Sequence, residues 1–180
     1  GYGGSCFPKD TRAIVDVGKK YGEEMLVIKA AIEANQKQKK RVIEKIISKM
    51  NGVSGKIIGI LGLSFKPDTD DMREAPSIDI IRGLVKSGAK IHAYCPEGIK
   101  EARWRLADIE KNIIYCADEY SIANDADGIV LITEWHQFRG MNLKNVRERM
   151  KDNFYFDLRN VYVKDSNVRK IFKYYPIGQE

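Results

Sequence analysis

The sequence predicts an α/β protein, in which a Rossmann-like, doubly wound parallel sheet is preceded by a long connecting or dimerisation helix. From residue 54 onward, short apolar runs bounded by glycine alternate with amphipathic stretches, as in proteins built on parallel sheets. A stripe of apolar residues at helical spacing runs from 23 to 50. With 43% hydrophobic and 31% charged residues, the 180-residue chain can bury a core. We therefore divide it into residues 1–53 and residues 54–180.

The first part is predicted to be a loop over residues 1–10 followed by two helices. Asp10 or Thr11 is a suitable cap for the first helix, which ends at Tyr21. The second helix covers 23–50 and would be about 40 Å long at 1.5 Å per residue. That length exceeds one wall of a small domain, so we expect this helix to connect two domains or to pair with a second subunit.

The second part alternates strands and helices, which predicts a parallel sheet with right-handed crossovers. The predicted strands are 56–62, 89–94, 113–116, 128–133, 154–157 and a last strand or edge at 171–175. The predicted helices are 77–86, 97–109, 119–124 and 143–150.

Composition excludes several classes of function. The net charge is +6, but the densest basic run (residues 37–41) has no interleaved aromatic residues to stack bases. We interpret it as a solvated helix face or an attraction for an anionic ligand, and expect no nucleic-acid partner. No apolar run reaches the roughly 18 residues of a membrane span, and we expect no signal peptide. Because the chain opens without Met, we expect it to be a piece of a longer protein.

The cysteines and histidines predict neither a disulfide framework nor a metal site. The three cysteines, Cys6, Cys95 and Cys116, are few and odd in number, and their spacing matches no zinc motif. The only histidines are His92 and His136. A reducing, cytoplasmic compartment fits this cysteine usage best.

The segment GGSCFPKD at residues 3–10 is a candidate catalytic loop. Glycines expose backbone amides to a ligand, and a cysteine before a helix N-terminus, with Lys9 nearby, favours the thiolate. Cys6 would be a nucleophile and Asp10 a general base for water. The alternative is a tight turn in which Cys6 is buried and Asp10 only caps the helix.

The loop at residues 62–74 follows the first predicted strand of the sheet, where open α/β sheets bind ligands. It is not a dinucleotide fingerprint, because Gly59 and Gly62 are followed by no third glycine. Lys66 and Arg73 are suited to phosphate, while the acids of the loop would hold these cations by ion pairing. The alternative is a surface loop of mixed charge.

Two further segments follow predicted strands. In TEWHQF at 133–138, we expect Trp135 and Phe138 to be core or interface residues, and His136 alone is weak evidence for a general base. In DLRN at 157–160, Arg159 lies at the ligand edge of the sheet and could bind phosphate or sugar. The alternative for Arg159 is a surface ion pair.

Four segments, taken in order, resemble the nucleotide-sugar dehydrogenases of the UDP-glucose/GDP-mannose dehydrogenase family. They are GYGGSCFPKD at 1–10, GKIIGILGLSFKPDTDDMREAPSIDII at 55–81, TEWHQF at 133–138 and DLRN at 157–160. The resemblance covers essentially the whole chain and corresponds to the second half of such an enzyme. By this resemblance, residues 1–53 are the catalytic-cysteine loop and central helices, and residues 54–180 are the UDP-sugar-binding domain. The NAD-binding domain of the family, with its glycine fingerprint and catalytic lysine, lies outside the match.

The resemblance implies a two-step oxidation of a sugar C6 alcohol to a carboxylate with two NAD. Cys6 would form a thiohemiacetal and then a thioester, and Asp10 would help to activate the hydrolytic water. Lys9 and Arg73 match NAD-binding positions. The positions that match contacts to the UDP-sugar are Tyr2, Gly3, Phe7, Phe65, Lys66 and Arg159. The long helix would join the two domains and build a homodimer, with Asn35 on its apolar stripe as a register position or an ordinary hydrogen-bonded asparagine.

The choice of sugar depends on few residues. SCFPKD at 5–10 looks like the UDP-glucose branch, whereas relatives acting on N-acetylated hexosamines look more like HCIPVD. Cys95 departs from the family, which has Asp before this proline. We expect the 180 residues to bind UDP-sugar without turnover. The alternatives are a related dehydrogenase acting on a UDP-N-acetylhexosamine or GDP-mannose, or a non-catalytic module that binds nucleotide sugar and dimerises.

Overall fold

A six-stranded, wholly parallel sheet organises the computed structural model, which describes residues 1–179. The strands are β1 (Ile57–Leu61), β2 (Lys90–Tyr94), β3 (Ile113–Tyr115), β4 (Gly128–Leu131), β5 (Phe154–Asp157) and β6 (Lys173–Pro176). Their spatial order is β3-β2-β1-β4-β5-β6, the arrangement of the Rossmann fold. The order reverses between β1 and β4, which places the topological switch point there. The predicted fold class is confirmed.

Seven helices accompany the sheet in the described chain: α1 (Phe7–Lys20), α2 (Leu26–Lys49), α3 (Pro76–Lys86), α4 (Ile99–Arg105), α5 (His136–Arg139), α6 (Leu143–Arg149) and α7 (Val168–Ile171). Two short 3₁₀ helices, Ala107–Asn112 and Ser121–Ala123, precede β3 and β4. None of the helices within residues 1–179 is long and apolar enough to cross a membrane.

The central strands are buried on both faces. All four residues of β4 are buried, as are the last four of β1, because helices cover the sheet on each side. Gly59 in β1 permits a close approach of the 3₁₀ turn before β4, since a Cβ there would lie 2.7 Å from the carbonyl oxygen of Ile122. The apolar runs therefore form strands that are buried on both faces of the sheet.

The long helix α2 contributes to the same core as the sheet. It has 24 residues, close to the predicted 23–50. Its C-terminal half buries Val42 and Ile46, and Met50 at its end, within the hydrophobic cluster of the strands. The buried ammonium of Lys39 also forms an ion pair of 2.7 Å with Asp79 of α3. The division of the chain at residue 53, and the role of α2 as a connector or dimerisation helix, stay predictions.

The first helix begins earlier than the sequence predicts. α1 begins at Phe7, and Pro8 occupies its first turn, where its fixed φ angle suits a helix and its missing N–H is not needed. Cys6 is thus the residue before the helix, while Asp10 lies inside the first turn. The prediction that Asp10 or Thr11 caps this helix is wrong, since the Thr11 hydroxyl donates back to the Phe7 carbonyl at 2.8 Å.

Other differences are local. The helix predicted at 97–109 divides into α4 and a 3₁₀ turn, and the one predicted at 119–124 is the 3₁₀ turn alone. There the Asp118 carboxylate accepts hydrogen bonds from the backbone N–H groups of Tyr120 and Ser121, an arrangement that favours a tight turn over an α-helix. The short helices α5 and α7 were not predicted.

Candidate active site

The candidate site lies at the carboxyl edge of the sheet, beside the switch point between β1 and β4. The loops that follow these strands are joined by the hydroxyl of Thr133, which donates to the Ser64 carbonyl at 2.6 Å. The Ser77 hydroxyl, at the start of α3, donates to the carbonyl of Leu63. These bonds hold the polar loop at 62–75 rigidly against the sheet, where ligands of open α/β proteins bind.

The N-terminal loop is attached to this edge at two points. The backbone N–H of Tyr2 donates to Asn35 Oδ1 at 2.7 Å, and Asn35 Nδ2 donates to the Tyr2 carbonyl at 3.1 Å. The backbone N–H of Gly4 donates to the Arg73 carbonyl at 2.8 Å. Gly4 has φ +92° and faces the Phe65 ring, which a Cβ there would approach to 2.8 Å. Glycine is required here by both conformation and space.

The structure brings Cys6, Lys9 and Arg73 into one cleft. Its volume is about 550 Å³, and its lining is Gly4, Ser5, Cys6, Lys9, Arg12, Arg73, Glu74 and Arg105. Cys6 is exposed and immediately precedes α1, with its Sγ 3.6 Å from the Ser5 hydroxyl. The alternative of a buried Cys6 is therefore wrong, because the thiol stands at the surface of a cleft lined by four cationic side chains.

Every cation of this cleft has a carboxylate partner. The pairs are Lys9–Asp10, Arg12–Glu74 at 2.9 Å, Arg73–Asp71 at 2.9 Å and Arg105–Glu101 at 3.3 Å. Arg73 engages both oxygens of Asp71, and this hydrogen bonding holds the pKa of Asp71 below its usual value. Hydrogen bonding to Asp10 likewise raises the pKa of Lys9. The expectation that loop acids hold the cations in place is thus met for Arg73.

Asp10 shares a helical turn with Cys6, whose carbonyl accepts the Asp10 backbone N–H at 2.8 Å. Its carboxylate is exposed and pairs with Lys9. Both side chains are exposed, although Asp10 does not line the cleft, and the role of Asp10 as general base stays a prediction.

The aromatic members of the predicted substrate set lie on both sides of the loop. Phe65 packs on Gly4, and Lys66 lies over the Phe65 ring at 5.5 Å. The rings of Tyr2 and Phe7 meet edge to face at 4.7 Å, with Phe7 58% exposed. Gly3 lies against the backbone of Glu74. These residues are therefore close neighbours of the cleft, although they do not line it.

Arg159 occupies a separate position at the end of β5. It lines a small cavity of about 50 Å³ between α2, α3 and the strand ends. Its guanidinium contacts both carboxylate oxygens of Glu134, each at 2.5 Å. Burial pushes the pKa of Glu134 upward, but the hydrogen bonds from Arg159 bring it below its ordinary value. The ion pair considered for Arg159 is present, with two donors of the guanidinium engaged.

Three residues of the site were not predicted from the sequence. Arg12 and Arg105 line the thiol cleft, and Glu134 pairs with Arg159. The spacing of Arg12 after Lys9 on one helix is a signal that could have been used. Nothing in the sequence links Arg105 to residue 6, because their presence in one cleft depends on the tertiary packing of α4. Within residues 1–179, no group of three His, Cys, Asp or Glu side chains could hold a metal ion.

Comparison with known proteins identifies the family. A sequence profile described as the UDP binding domain of the UDP-glucose/GDP-mannose dehydrogenase family matches residues 59–164, and the profile of the central domain matches residues 1–37. The chain belongs to the UDP-glucose/GDP-mannose dehydrogenase family. The family membership that the four motifs predict is therefore confirmed.

Named family members share about a third of the sequence. A UDP-glucose 6-dehydrogenase of Rhizobium meliloti is 38% identical over 99% of this chain and 40% of its own length. One from Bacillus subtilis is 37% identical over 99% of this chain and 38% of its own length. The chain therefore spans about 40% of the length of these curated relatives.

Solved structures of the family agree in fold. A UDP-glucose dehydrogenase from Pyrobaculum islandicum superposes with a TM-score of 0.75 at 32% identity, covering 86% of this chain and 37% of that one. A UDP-D-ManNAc dehydrogenase from Pyrococcus horikoshii superposes with a TM-score of 0.77 at 24% identity, covering 99% of this chain and 39% of that one. The second likeness shows the fold alone.

Proposed function

We propose that this chain supplies the UDP-sugar site and the nucleophilic thiol of a dehydrogenase that oxidises UDP-glucose to UDP-glucuronate with two NAD. The observation that carries the proposal is the exposed thiol of Cys6, which stands in a cleft lined by Lys9, Arg12, Arg73 and Arg105. A nucleophile beside several cations suits a reaction in which a phosphate-bearing cosubstrate, here NAD, binds next to the reacting carbon.

Each side chain has a distinct task in this proposal. The C6 alcohol of the sugar is first oxidised to the aldehyde by loss of a hydride and of its hydroxyl proton. The Cys6 thiolate then attacks the aldehyde carbon, forming a C–S bond and a thiohemiacetal. After its oxidation to a thioester, water attacks the acyl carbon and the C–S bond breaks. Asp10 accepts the proton of that water, and the products are the carboxylate and the regenerated thiol. Asp10 suits this task because it lies on the helical turn that begins at Cys6.

The residues around the thiol fit the phosphates of NAD. Arg73 is held by Asp71 but its side chain remains 58% exposed, and Lys9 is 70% exposed, so both can also contact an anion in the cleft. NAD, when bound, accepts one hydride in each of the two oxidation steps. The contribution of this chain is to present fixed positive charge beside Cys6, where the reacting carbon lies.

The UDP-sugar is proposed to lie along the carboxyl edge of the sheet. Lys66 and Arg159 supply cations for its diphosphate, and Phe65, which packs against Gly4, supplies an apolar surface. Tyr2, Gly3 and Phe7 belong to the loop that would enclose the sugar. The segment SCFPKD at 5–10, which resembles the UDP-glucose branch, favours glucose over N-acetylated hexosamines. A related dehydrogenase with another nucleotide sugar is the second candidate, and a non-catalytic binding module is the third.

A homodimer is part of the proposal. Apolar side chains of α1 and the start of α2 are exposed, and they form one end of this helical pair: Ile14, Val17, Tyr21, Leu26 and Val27. We propose that these side chains, together with the long helix α2, contribute to the dimer interface, since clustered exposed apolar side chains mark protein–protein contacts. The 180 residues alone are proposed to bind UDP without reducing NAD, since no GxGxxG motif occurs in them.

The test is a calorimetric titration of the chain with UDP and UDP-glucose, joined to an assay of NAD reduction by the full-length protein. We expect UDP to bind both the wild type and Cys6→Ala, and Cys6→Ala to abolish NAD reduction by the full-length enzyme. Cys116→Ala, a change at a buried thiol, is the matched control. Absence of UDP binding by the wild type would overturn the proposed site, and retained activity in Cys6→Ala would overturn the mechanism.

A further inference from the structure

Glu134 and Arg159 follow adjacent strands. Leu131, the last residue of β4, pairs in register with Asp157, the last residue of β5. Since both strands end at the same edge of the sheet, the side chains two and three residues further on meet there. The resulting contact joins Arg159 Nε to Glu134 Oε2 and Nη2 to Oε1, both at 2.5 Å. This is the side-on, two-bond geometry that fixes the plane of a guanidinium.

The backbone of Arg159 is fixed separately. The carboxylate of Asp157 is fully buried and accepts the Arg159 backbone N–H at 3.1 Å. Its other oxygen accepts the Tyr174 hydroxyl at 2.6 Å and the Tyr162 backbone N–H at 2.9 Å. Arg159 is therefore fixed at two points, since Asp157 accepts a hydrogen bond from its backbone and Glu134 pairs with its guanidinium.

The pairing leaves part of the guanidinium available. A guanidinium has five N–H donors, and the contacts to Glu134 involve only Nε and Nη2. Within residues 1–179, Nη1 has no hydrogen-bond partner. The Arg159 side chain is 38% exposed, whereas that of Glu134 is 22% exposed. An incoming anion can therefore reach the free end of the guanidinium without displacing the carboxylate.

We infer that Glu134 is a positioning residue for substrate, which orients Arg159 so that its Nη1 end receives a phosphate oxygen of the nucleoside diphosphate. This inference rests on the proposed function, because it takes the UDP moiety as the ligand of Arg159. The opposite role is a latch, in which Glu134 competes with the phosphate for the guanidinium. The two roles differ in the sign of one measurement, since removal of the carboxylate weakens binding in the first and strengthens it in the second.

The experiment measures UDP affinity of the 180-residue chain by calorimetry for wild type, Glu134→Gln, Arg159→Lys and the double variant. Glutamine keeps the shape of Glu134 but loses the charge. We expect Glu134→Gln to weaken UDP binding roughly tenfold, the scale of a hydrogen bond to a charged group. Arg159→Lys keeps the charge but not the planar geometry and should lose at least as much. The double variant should bind no more weakly than Arg159→Lys, because the two side chains act as one unit.

A merely structural role would affect every ligand equally. Uridine lacks the phosphates, so its affinity should be the same in Glu134→Gln and in wild type, whereas a general loosening of the strand ends would weaken both ligands. Glu110→Gln, which breaks the exposed pair with Arg103, is the control for loss of one carboxylate elsewhere. Circular dichroism melting checks that each variant is folded.

The outcomes separate this inference from the proposed function. If wild type fails to bind UDP, the proposed site and the role of Glu134 are both overturned. If wild type binds UDP and Glu134→Gln binds it equally or more tightly, only the positioning role is overturned, and tighter binding supports the latch. Additive losses in the double variant would also contradict a role for Glu134 through Arg159.

Discussion

The side-chain amide of Asn35 forms both of its hydrogen bonds with the backbone of a single residue, Tyr2. Its Oδ1 accepts the Tyr2 N–H at 2.7 Å and its Nδ2 donates to the Tyr2 carbonyl at 3.1 Å. Asn35 is buried on the stripe of α2 that faces the protein. A polar residue at an otherwise apolar position therefore has a definite function, which is to attach the loop that carries Cys6 to the long helix.

The first prediction concerns this attachment. Asn35→Ala should leave both Tyr2 backbone groups unpaired, and they would regain water only if the loop detaches. We expect amide hydrogen exchange at residues 2–4 to accelerate about tenfold or more, the equivalent of roughly 1.4 kcal/mol. Urea unfolding of the whole chain should change much less, since the loop can open by itself.

The control is Gln36→Ala, at the exposed neighbouring position of α2. It should leave exchange at residues 2–4 unchanged. Equal exchange rates in Asn35→Ala and wild type would show that Gly4 and Arg73 hold the loop without Asn35.

The second prediction separates backbone strain from contact at Gly4. Gly4 and Gly22 both have positive φ, +92° and +76°, but a Cβ at Gly4 would meet Phe65 while one at Gly22 would meet nothing within 4 Å. Alanine at either position should cost about 1–2 kcal/mol from the left-handed conformation. Only Gly4→Ala should also displace the Phe65 ring and weaken UDP binding severalfold.

Calorimetry with UDP and thermal unfolding of both variants test this difference. A Gly4→Ala variant that binds UDP like Gly22→Ala would remove Phe65 from the proposed substrate surface.

The third prediction concerns the ion pair between α2 and α3. The Lys39 side chain is 4% exposed and Asp79 is 48% exposed. Asp79→Ala leaves a buried ammonium without its carboxylate, so it should lower the free energy of unfolding by about 1–3 kcal/mol, below the range for a fully buried pair. Lys39→Met fills the same space without charge and should cost about 1 kcal/mol or less.

Urea unfolding of the two variants decides the order, with Lys37→Met at an exposed pair of α2 as the control. If Lys39→Met lowers the free energy of unfolding more than Asp79→Ala does, the prediction is contradicted. The ion pair would then stabilise the contact between α2 and α3 by more than an apolar side chain of the same size.

The strands were predictable because their signal is local. The segment FYFD of β5 begins with three aromatic residues and is followed by the loop that carries Arg159, and its bounds were predicted as observed. The start of α1 was missed because Asp10 is a good cap by type, whereas Pro8 permits a helix to begin earlier. The preference of Asp for the cap position favours a helix that begins after Asp10, whereas the preference of Pro for the first turn favours one that begins before Pro8. The sequence alone does not show which preference is stronger.

The candidate site was predictable only in part, for a different reason. Cys6, Lys9 and Arg73 could be assigned from motifs, since each belongs to a recognisable segment. The presence of Arg105 in the same cleft, and of Glu134 against Arg159, depends on how α4 and the strand ends pack. Such contacts between distant segments leave no periodicity in the sequence.

The fourth prediction uses a buried hydroxyl of the edge strand. Burial raises the pKa of Tyr115 in the folded protein to about 12, and its hydroxyl has no hydrogen-bond partner among the described residues. The unfolded chain therefore releases this proton first as pH rises, from an ordinary pKa of 10. Its contribution to stability is present below pH 10 and is lost as the pH rises toward 12.

Tyr115→Phe removes both the unpaired hydroxyl and this titration. We expect the variant to be as stable as wild type or more stable at pH 7, because no hydrogen bond is lost. Between pH 9 and pH 11 it should lose less stability than wild type, by about 1 kcal/mol after allowance for partial exposure. Urea unfolding across this pH range measures the difference, and Tyr21→Phe, at an exposed side chain, should follow the wild-type profile. A Tyr115→Phe variant that is less stable at pH 7 would show that the hydroxyl has a partner in solution, such as a bound water.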